Sequence, residues 1–226
     1  MLFEIIGLQD WTEDEIYRYL GPPKTDPLLF LDGTSAQPFA PTNVVDALDY
    51  SHLDMKYLSS NVLITDFGEA FFTDDVPKGL GTPASFSAPE LLFGYQPSCA
   101  VDLWALGCLI FEIFTFRVLI PTFFGSDLEA LAMAIETVGA LPEAWYNSFY
   151  DKDSLKVTNP GEKHRWFDDQ IQRTRTLDSH MLEDLPELSQ DQHATFLQLL
   201  KSILVFEPSR RLPAVEVAKH PWLVCD

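Results

Sequence analysis

The chain has 226 residues, 46% of them hydrophobic and 13% aromatic, which is the make-up of a globular chain with a sizeable core rather than a disordered one. Its formal net charge of −19 excludes a general affinity for nucleic acid, because phosphate backbones require clustered Lys and Arg; it suits a basic peptide or protein partner, and it serves equally as a simple solubility device. The three cysteines, Cys99, Cys108 and Cys225, have neither metal-ligand nor redox spacing, which predicts free thiols in a reducing intracellular compartment, cytoplasmic or nuclear.

Met1-Leu2-Phe3-Glu4 lacks the basic stretch that opens a secretory signal. Residues 1–8 read as a short strand. Thr12-Glu13-Asp14-Glu15 has the capping-box pattern and opens a short acidic helix with Ile16, Tyr17 and Leu20 near one side. Gly21-Pro22-Pro23 ends that helix. Residues 24–50 carry Pro27, Gly33, Pro38 and Pro41 with little periodicity, and are expected to form a long loop or insertion.

Val62-Leu63-Ile64 predicts a strand leading into Asp66-Phe67-Gly68, and residues 69–98 are irregular. The run Leu103 to Ile120 is almost wholly apolar and has about the minimum length of a membrane span. Glu112 and Arg117 interrupt it, and charges are costly at membrane depth. The expectation is therefore no membrane span but a central helix buried on all sides, with Asp102 as its N-cap. Asp127 to Val138 has a helical stripe at Leu128, Leu131, Ala132 and Ile135. Residues 151–180 are mixed, suggesting loop and short helices. Asp191 to Phe206 repeats the helical pattern, and Ala214 to Trp222 predicts a last short helix. This order predicts an α+β fold, mainly α. It divides into residues 1–61, a leading strand with an acidic helix and loop insertion, and residues 62–226, the main body.

Asp66-Phe67-Gly68 alone is weak, since a strand end with a turn glycine would look the same. Its company is informative. Ala88-Pro89-Glu90 lies about twenty residues on, then Asp102-Leu103-Trp104-Ala105-Leu106-Gly107, Pro208-Ser209-Arg210-Arg211 and His220-Pro221-Trp222. In this order and spacing the five elements resemble the C-terminal lobe of a eukaryotic protein kinase. The stretch Asp66 to Phe71 and the segment ending in Ser87-Ala88-Pro89-Glu90-Leu91-Leu92 are most similar to SR-protein-kinase-like serine/threonine kinases, especially fungal ones. The resemblance spans about residues 62 to 224.

The resemblance implies ATP and Mg2+ as cofactors and a protein substrate. It assigns Asp66 to magnesium, a hard cation that takes oxygen ligands, and Phe67 to packing beneath it. It pairs Glu90 with Arg211 and sets Asp102 at the start of the buried helix, bonding the catalytic-loop backbone, with Trp104 and Gly107 as structural neighbours. The activation segment, Phe67 and Gly68 through Thr82, Ser85, Ala88, Pro89 and Glu90, has one residue more between the Thr and the Ala than most serine/threonine kinases. Either Thr82 or Ser85 fits the position that contacts the catalytic loop.

A kinase also needs a Gly-rich loop, a strand lysine and a helix glutamate. Only 65 residues precede Asp66, and they hold neither a G-x-G-x-x-G pattern nor a V-A-I-K-like tetrapeptide. Ser51-His52-Leu53-Asp54-Met55-Lys56 with Asn61 mimics a catalytic loop and makes Asp54 a candidate base. The gap to the Asn is seven rather than five, and Leu53 replaces the Arg. The better alignment makes Leu2 to Ile6 the strand that follows the catalytic Asn, residues 7–60 an insertion, and Met1 the residue just after the catalytic loop. Two readings follow. One is a serine/threonine kinase whose N-lobe and catalytic loop lie outside these residues, acting on basic, Arg/Ser-rich proteins. The other is a non-catalytic module that docks a peptide or another kinase.

Overall fold

The computed structural model describes residues 2–34, 38, 40–50, 53–145 and 165–224. Cys225, and the part of 151–180 before Arg165, lie outside the described residues. The chain divides into two compact units, Met1–Gly68 and Glu69–Asp226.

In the first unit, strand β1 (Leu2–Ile5) pairs antiparallel with β4 (Leu58–Leu63), with Leu2 opposite Leu63 and Phe3 opposite Val62. An irregularity between Phe3 and Ile5 brings Ile5 opposite Leu58. Helix α1 (Glu13–Leu20) starts at a complete capping box. The Thr12 side chain accepts from Glu15 N–H, and the Glu15 carboxylate accepts from Thr12 N–H at 2.8 Å. Gly21, at φ 79°, ends the helix in a conformation that side chains resist. Trp11, Tyr19 and Tyr57 then meet with ring centroids 4.9–5.0 Å apart. The expected long loop contains an antiparallel ladder, β2 (Thr25–Pro27) against β3 (Asn43–Val45). Pro27 stands opposite Asn43 at the end of this two-stranded ribbon, where a missing N–H is tolerated. Periodicity cannot reveal such a ladder, because both strands are exposed on both faces.

The second unit is helical. Helix α2 spans Ala100–Thr115, α3 Asp127–Val138, α4 Leu177–Asp184, α5 Gln190–Ile203 and α6 Ala214–Val217. Its core centres on Trp104 and Phe111 of α2 and on Phe196, Leu199, Leu200 and Ile203 of α5, all fully buried. Gly107 allows the close approach: a Cβ there would sit 2.8 Å from Leu204 Cδ2. Ser126, Thr176 and Ser189 cap α3, α4 and α5 through their hydroxyls, so these helices begin where local sequence places them.

Three expectations about the apolar run need correction. The helix starts at Ala100, so Cys99 holds the cap position and Asp102 lies inside the first turn, exposed. It ends at Thr115. There the Thr115 hydroxyl donates to Phe111 C=O at 2.8 Å, and Phe116 turns left-handed at φ 55°. The apolar residues beyond it, Leu119 and Ile120, are buried from a loop instead. Nor is the helix buried on all sides, since Ile113 and Phe114 are exposed. Among the described residues no helix is long and apolar enough to cross a membrane. The last helix, α6, stops at Val217 and hands over to turns at His220 and Leu223. Trp222 nonetheless packs, stacked on Phe196 at 4.5 Å.

Candidate functional site

In the first unit β4 delivers the chain to Asp66. Asp66 is exposed, at φ 65° in the left-handed region, and among the described residues its carboxylate makes no hydrogen bond or ion pair. Asp tolerates this conformation better than most residues, because its short polar side chain offsets some of the cost. Phe67, the next residue, is 68% exposed and opens a 3-10 turn, Phe67–Glu69. Phe67 is therefore not packed under the aspartate, contrary to what the resemblance implies.

Asp54 and Asn61 fall in different local structures. The Asp54 carboxylate accepts from Lys56 N–H at 3.0 Å and pairs with Lys56 Nζ at 2.9 Å, capping the 3-10 turn Met55–Tyr57. The Lys56 backbone N–H, then its side chain, hold the Asp54 carboxyl below its usual range. Asn61 lies within β4. Asp54 thus serves as the cap of a local turn.

In the second unit the activation segment is pinned at three points. The Glu69 carboxylate accepts from Gly81 N–H at 2.8 Å. The Ser85 hydroxyl lies 3.3 Å from that of Thr122, whereas Thr82 is half-buried with no such partner among the described residues. Ala88, Pro89 and Glu90 are buried. The Glu69 and Ser85 contacts had no signal in the sequence, because each joins residues far apart in the chain through ordinary side chains.

Glu90 and Arg211 form the most tightly specified group in the unit. Arg211 donates NH1 to Glu90 Oε1 at 2.7 Å and NH2 to Glu90 Oε2 at 2.6 Å. The same guanidinium donates to the carbonyls of Val205, Ala100 and Phe206. All five of its N–H groups are used, so the buried charge is fully satisfied. Arg211 also lies over the Trp104 ring, 5.2 Å from its centroid, and Trp104 stacks on Phe206. One residue therefore ties the end of the activation segment, the start of α2 and the turn before α6.

The sequence profile of the protein kinase domain matches residues 50–223. The chain belongs to the protein kinase domain family. The chain is 29% identical over 186 residues to dual specificity protein kinase lkh1 of Schizosaccharomyces pombe, covering 77% of this chain and 26% of that protein. It is 28% identical over 188 residues to serine/threonine-protein kinase AFC3 of Arabidopsis thaliana, covering 80% and 46%. With dual specificity tyrosine-phosphorylation-regulated kinase 4 of Homo sapiens it shares 26% over 172 residues, covering 73% and 30%. The kinase chain spans less than half the length of each of these relatives.

Members of this family use ATP and Mg2+. Mg2+ takes an octahedron of oxygens, of which one or two are carboxylates. Asp66 has the right donor type, but among the described residues no group of three His, Cys, Asp or Glu side chains comes together to hold a metal. One exposed carboxylate does not by itself make a metal site. Cys108, buried in the core, is equally unsuited to chemistry: burial pushes its thiol up to about 12.

Proposed function

We propose that this chain is the part of a serine/threonine protein kinase catalytic domain that begins at the strand after the catalytic loop and runs through the C-lobe. The enzyme it belongs to would be similar to SR-protein-kinase-like kinases and would phosphorylate basic, Arg/Ser-rich proteins. The observation that carries this reading is the β1–β4 ladder. Leu2 to Ile5 pairs directly with the strand that leads into Asp66, with everything between them looped out as an insertion. The charge of −19 supports a basic substrate through complementary fields. On their own these 226 residues do not transfer phosphate. Phosphoryl transfer rests on positioning and charge stabilisation, and the sequence offers no Gly-rich loop or strand lysine ahead of Asp66.

Calorimetry with Mg-ATP on the 226-residue chain, beside Asp66→Ala, tests the reading. The expected result is no measurable binding by either protein. Binding that vanishes in Asp66→Ala would show a working nucleotide site and return Asp54 to candidacy as the base.

The second reading, a non-catalytic docking module, is favoured by a specific observation. Phe123 and Phe124 are 90% and 93% exposed. Their backbone N–H groups are held by the Glu129 carboxylate at 2.9 and 3.2 Å, so two aromatic rings are presented from a fixed backbone.

A further inference from the structure

The two outer edges of the β2–β3 ribbon differ in kind. Asp46 N–H donates to Lys24 C=O and Leu28 N–H donates to Thr42 C=O, both at 2.9 Å. Asp26 stands opposite Val44 between them, so these positions turn their backbone groups into the ladder. The alternation then points Thr25 and Pro27 outward on β2, and Asn43 and Val45 outward on β3. The β2 edge is blunted, because Pro27 has no N–H to offer and Lys24 flanks it. The β3 edge has neither device. Asn43 and Val45 each present an N–H and a C=O that no backbone group among the described residues takes up. Val44 and Val45 are 50% and 59% exposed. An open edge of β-branched residues is a template for another strand.

We propose that the β3 edge takes an added strand from a partner polypeptide in which basic residues alternate with apolar ones. Directly opposed residues share a face, so the register sorts the side chains. One face holds Thr25, Pro27, Asn43 and Val45 and carries no charge. The other holds Asp26, Val44 and Asp46, with Lys24 opposite Asp46 on the far strand. The Asp26 and Asp46 carboxylates have no hydrogen bond or ion pair among the described residues.

A strand laid beside β3 therefore meets a carboxylate on one face and Val45 on the other. Its own side chains alternate in the same way, so Lys or Arg answers Asp46 and an apolar residue answers Val45. Main-chain bonds to Asn43 and Val45 supply the pairing, and the alternating side chains supply the choice of partner. The surroundings favour the same sign: Met1–Gly68 holds eleven Asp and Glu against three Lys and Arg. That field draws in a basic strand and opposes a second copy of this chain. The inference goes beyond the kinase reading and stands without it, since strand addition requires no phosphate transfer.

The test titrates the isotopically labelled 226-residue chain at constant ionic strength, following the amide NMR signals of Asn43 and Val45. The probes are a short peptide of alternating Arg and Val, the same peptide fully N-methylated, and a peptide of alternating Glu and Val. N-methylation keeps the charge and the side chains but removes every backbone N–H. The expected result is saturable shifts at both amides with the Arg–Val peptide, about tenfold weaker binding of its N-methylated form, and none with the Glu–Val peptide. Val45→Pro removes an outward N–H without removing a ladder bond to β2, and should weaken binding about tenfold. Thr25→Pro, on the blunted edge, should leave it unchanged. Asp46→Asn should weaken it roughly threefold. The N-methylated comparison uses the unaltered chain, so it decides the matter even where a proline loosens the ribbon. Equal binding of the N-methylated form, which means attraction by charge alone, overturns the proposal, as does the absence of shifts with the Arg–Val peptide. A Val45 signal that moves with protein concentration before any peptide is added also overturns it, because the edge is then filled by a second copy.

Discussion

The two units of this kinase chain are built by different means. Among the described residues of Met1–Gly68, only Leu20 and Leu53 are buried apolar residues. Leu2, Phe3, Leu63, Ile64 and Phe67 all lie exposed in the same unit. What orders it is local: a capping box, an Asp54 turn, short ladders and a cluster of three aromatic rings. Glu69–Asp226 is ordered by a continuous core that encloses five fully satisfied N–H groups of one arginine. Local hydrogen bonds set conformation but contribute little net free energy each, whereas burial accumulates with area. The difference predicts that damage to the second unit is cooperative and large, and damage to the first stays near the altered residue.

The largest expected effect is at the buried pair. Arg211→Ala or Glu90→Ala leaves a charge buried without its partner, which costs about 3–5 kcal/mol. Urea unfolding followed by tryptophan fluorescence should show it, since Trp104 lies against Arg211. A loss well under 1 kcal/mol would break the contrast, because it would mean that the core does not depend on its central ion pair.

Next comes Gly107→Ala. The new methyl meets Leu204 Cδ2 and Cγ at 2.8 and 2.9 Å, where no relaxed carbon contact lies. Overpacking of this kind costs about 1–3 kcal/mol. The same urea titration measures it, and an unchanged midpoint would show that α2 and α5 have slack the packing does not suggest.

The smallest effect belongs to the first unit and depends on pH. The Thr12 backbone N–H, and then its hydroxyl, hold the Glu15 carboxyl below its ordinary value. The folded group therefore binds its proton later than the unfolded one. Its support for α1 is fully present above the ordinary glutamate range and disappears as pH falls through the lowered folded value. An NMR titration of the Glu15 carboxyl should place its midpoint below that range, and Thr12→Val should move it back up. The signals of the helical unit should not respond. A response there would erase the distinction between the units.

Much of the fold was legible from the chain alone because its signals are local. The α3 boundaries, Asp127 and Val138, follow from the helical stripe at Leu128, Leu131, Ala132 and Ile135. The α1 start follows from four consecutive residues, and α5 begins at Gln190, one residue before the expected Asp191. The kinase family was legible for a different reason: five short motifs keep a fixed order. The resemblance implied Glu90 and Arg211 as partners, and their atoms lie within hydrogen-bond reach. It left Thr82 and Ser85 undecided, and in the structure it is Ser85 that meets another hydroxyl, that of Thr122.

The starts of α1, α3 and α6, the order of the motifs and the net charge follow from the chain alone, because each depends on neighbouring residues or on a sum. Packing alone sets where the apolar run after Asp102 stops being helix, which exposed segments of the insertion pair as β2 and β3, and which carbonyls surround Arg211. Hydropathy is blind to all three. A left-handed residue at Phe116, a register between two exposed strands and the convergence of Val205, Phe206 and Ala100 on one guanidinium each depend on atoms that meet only once the chain has packed.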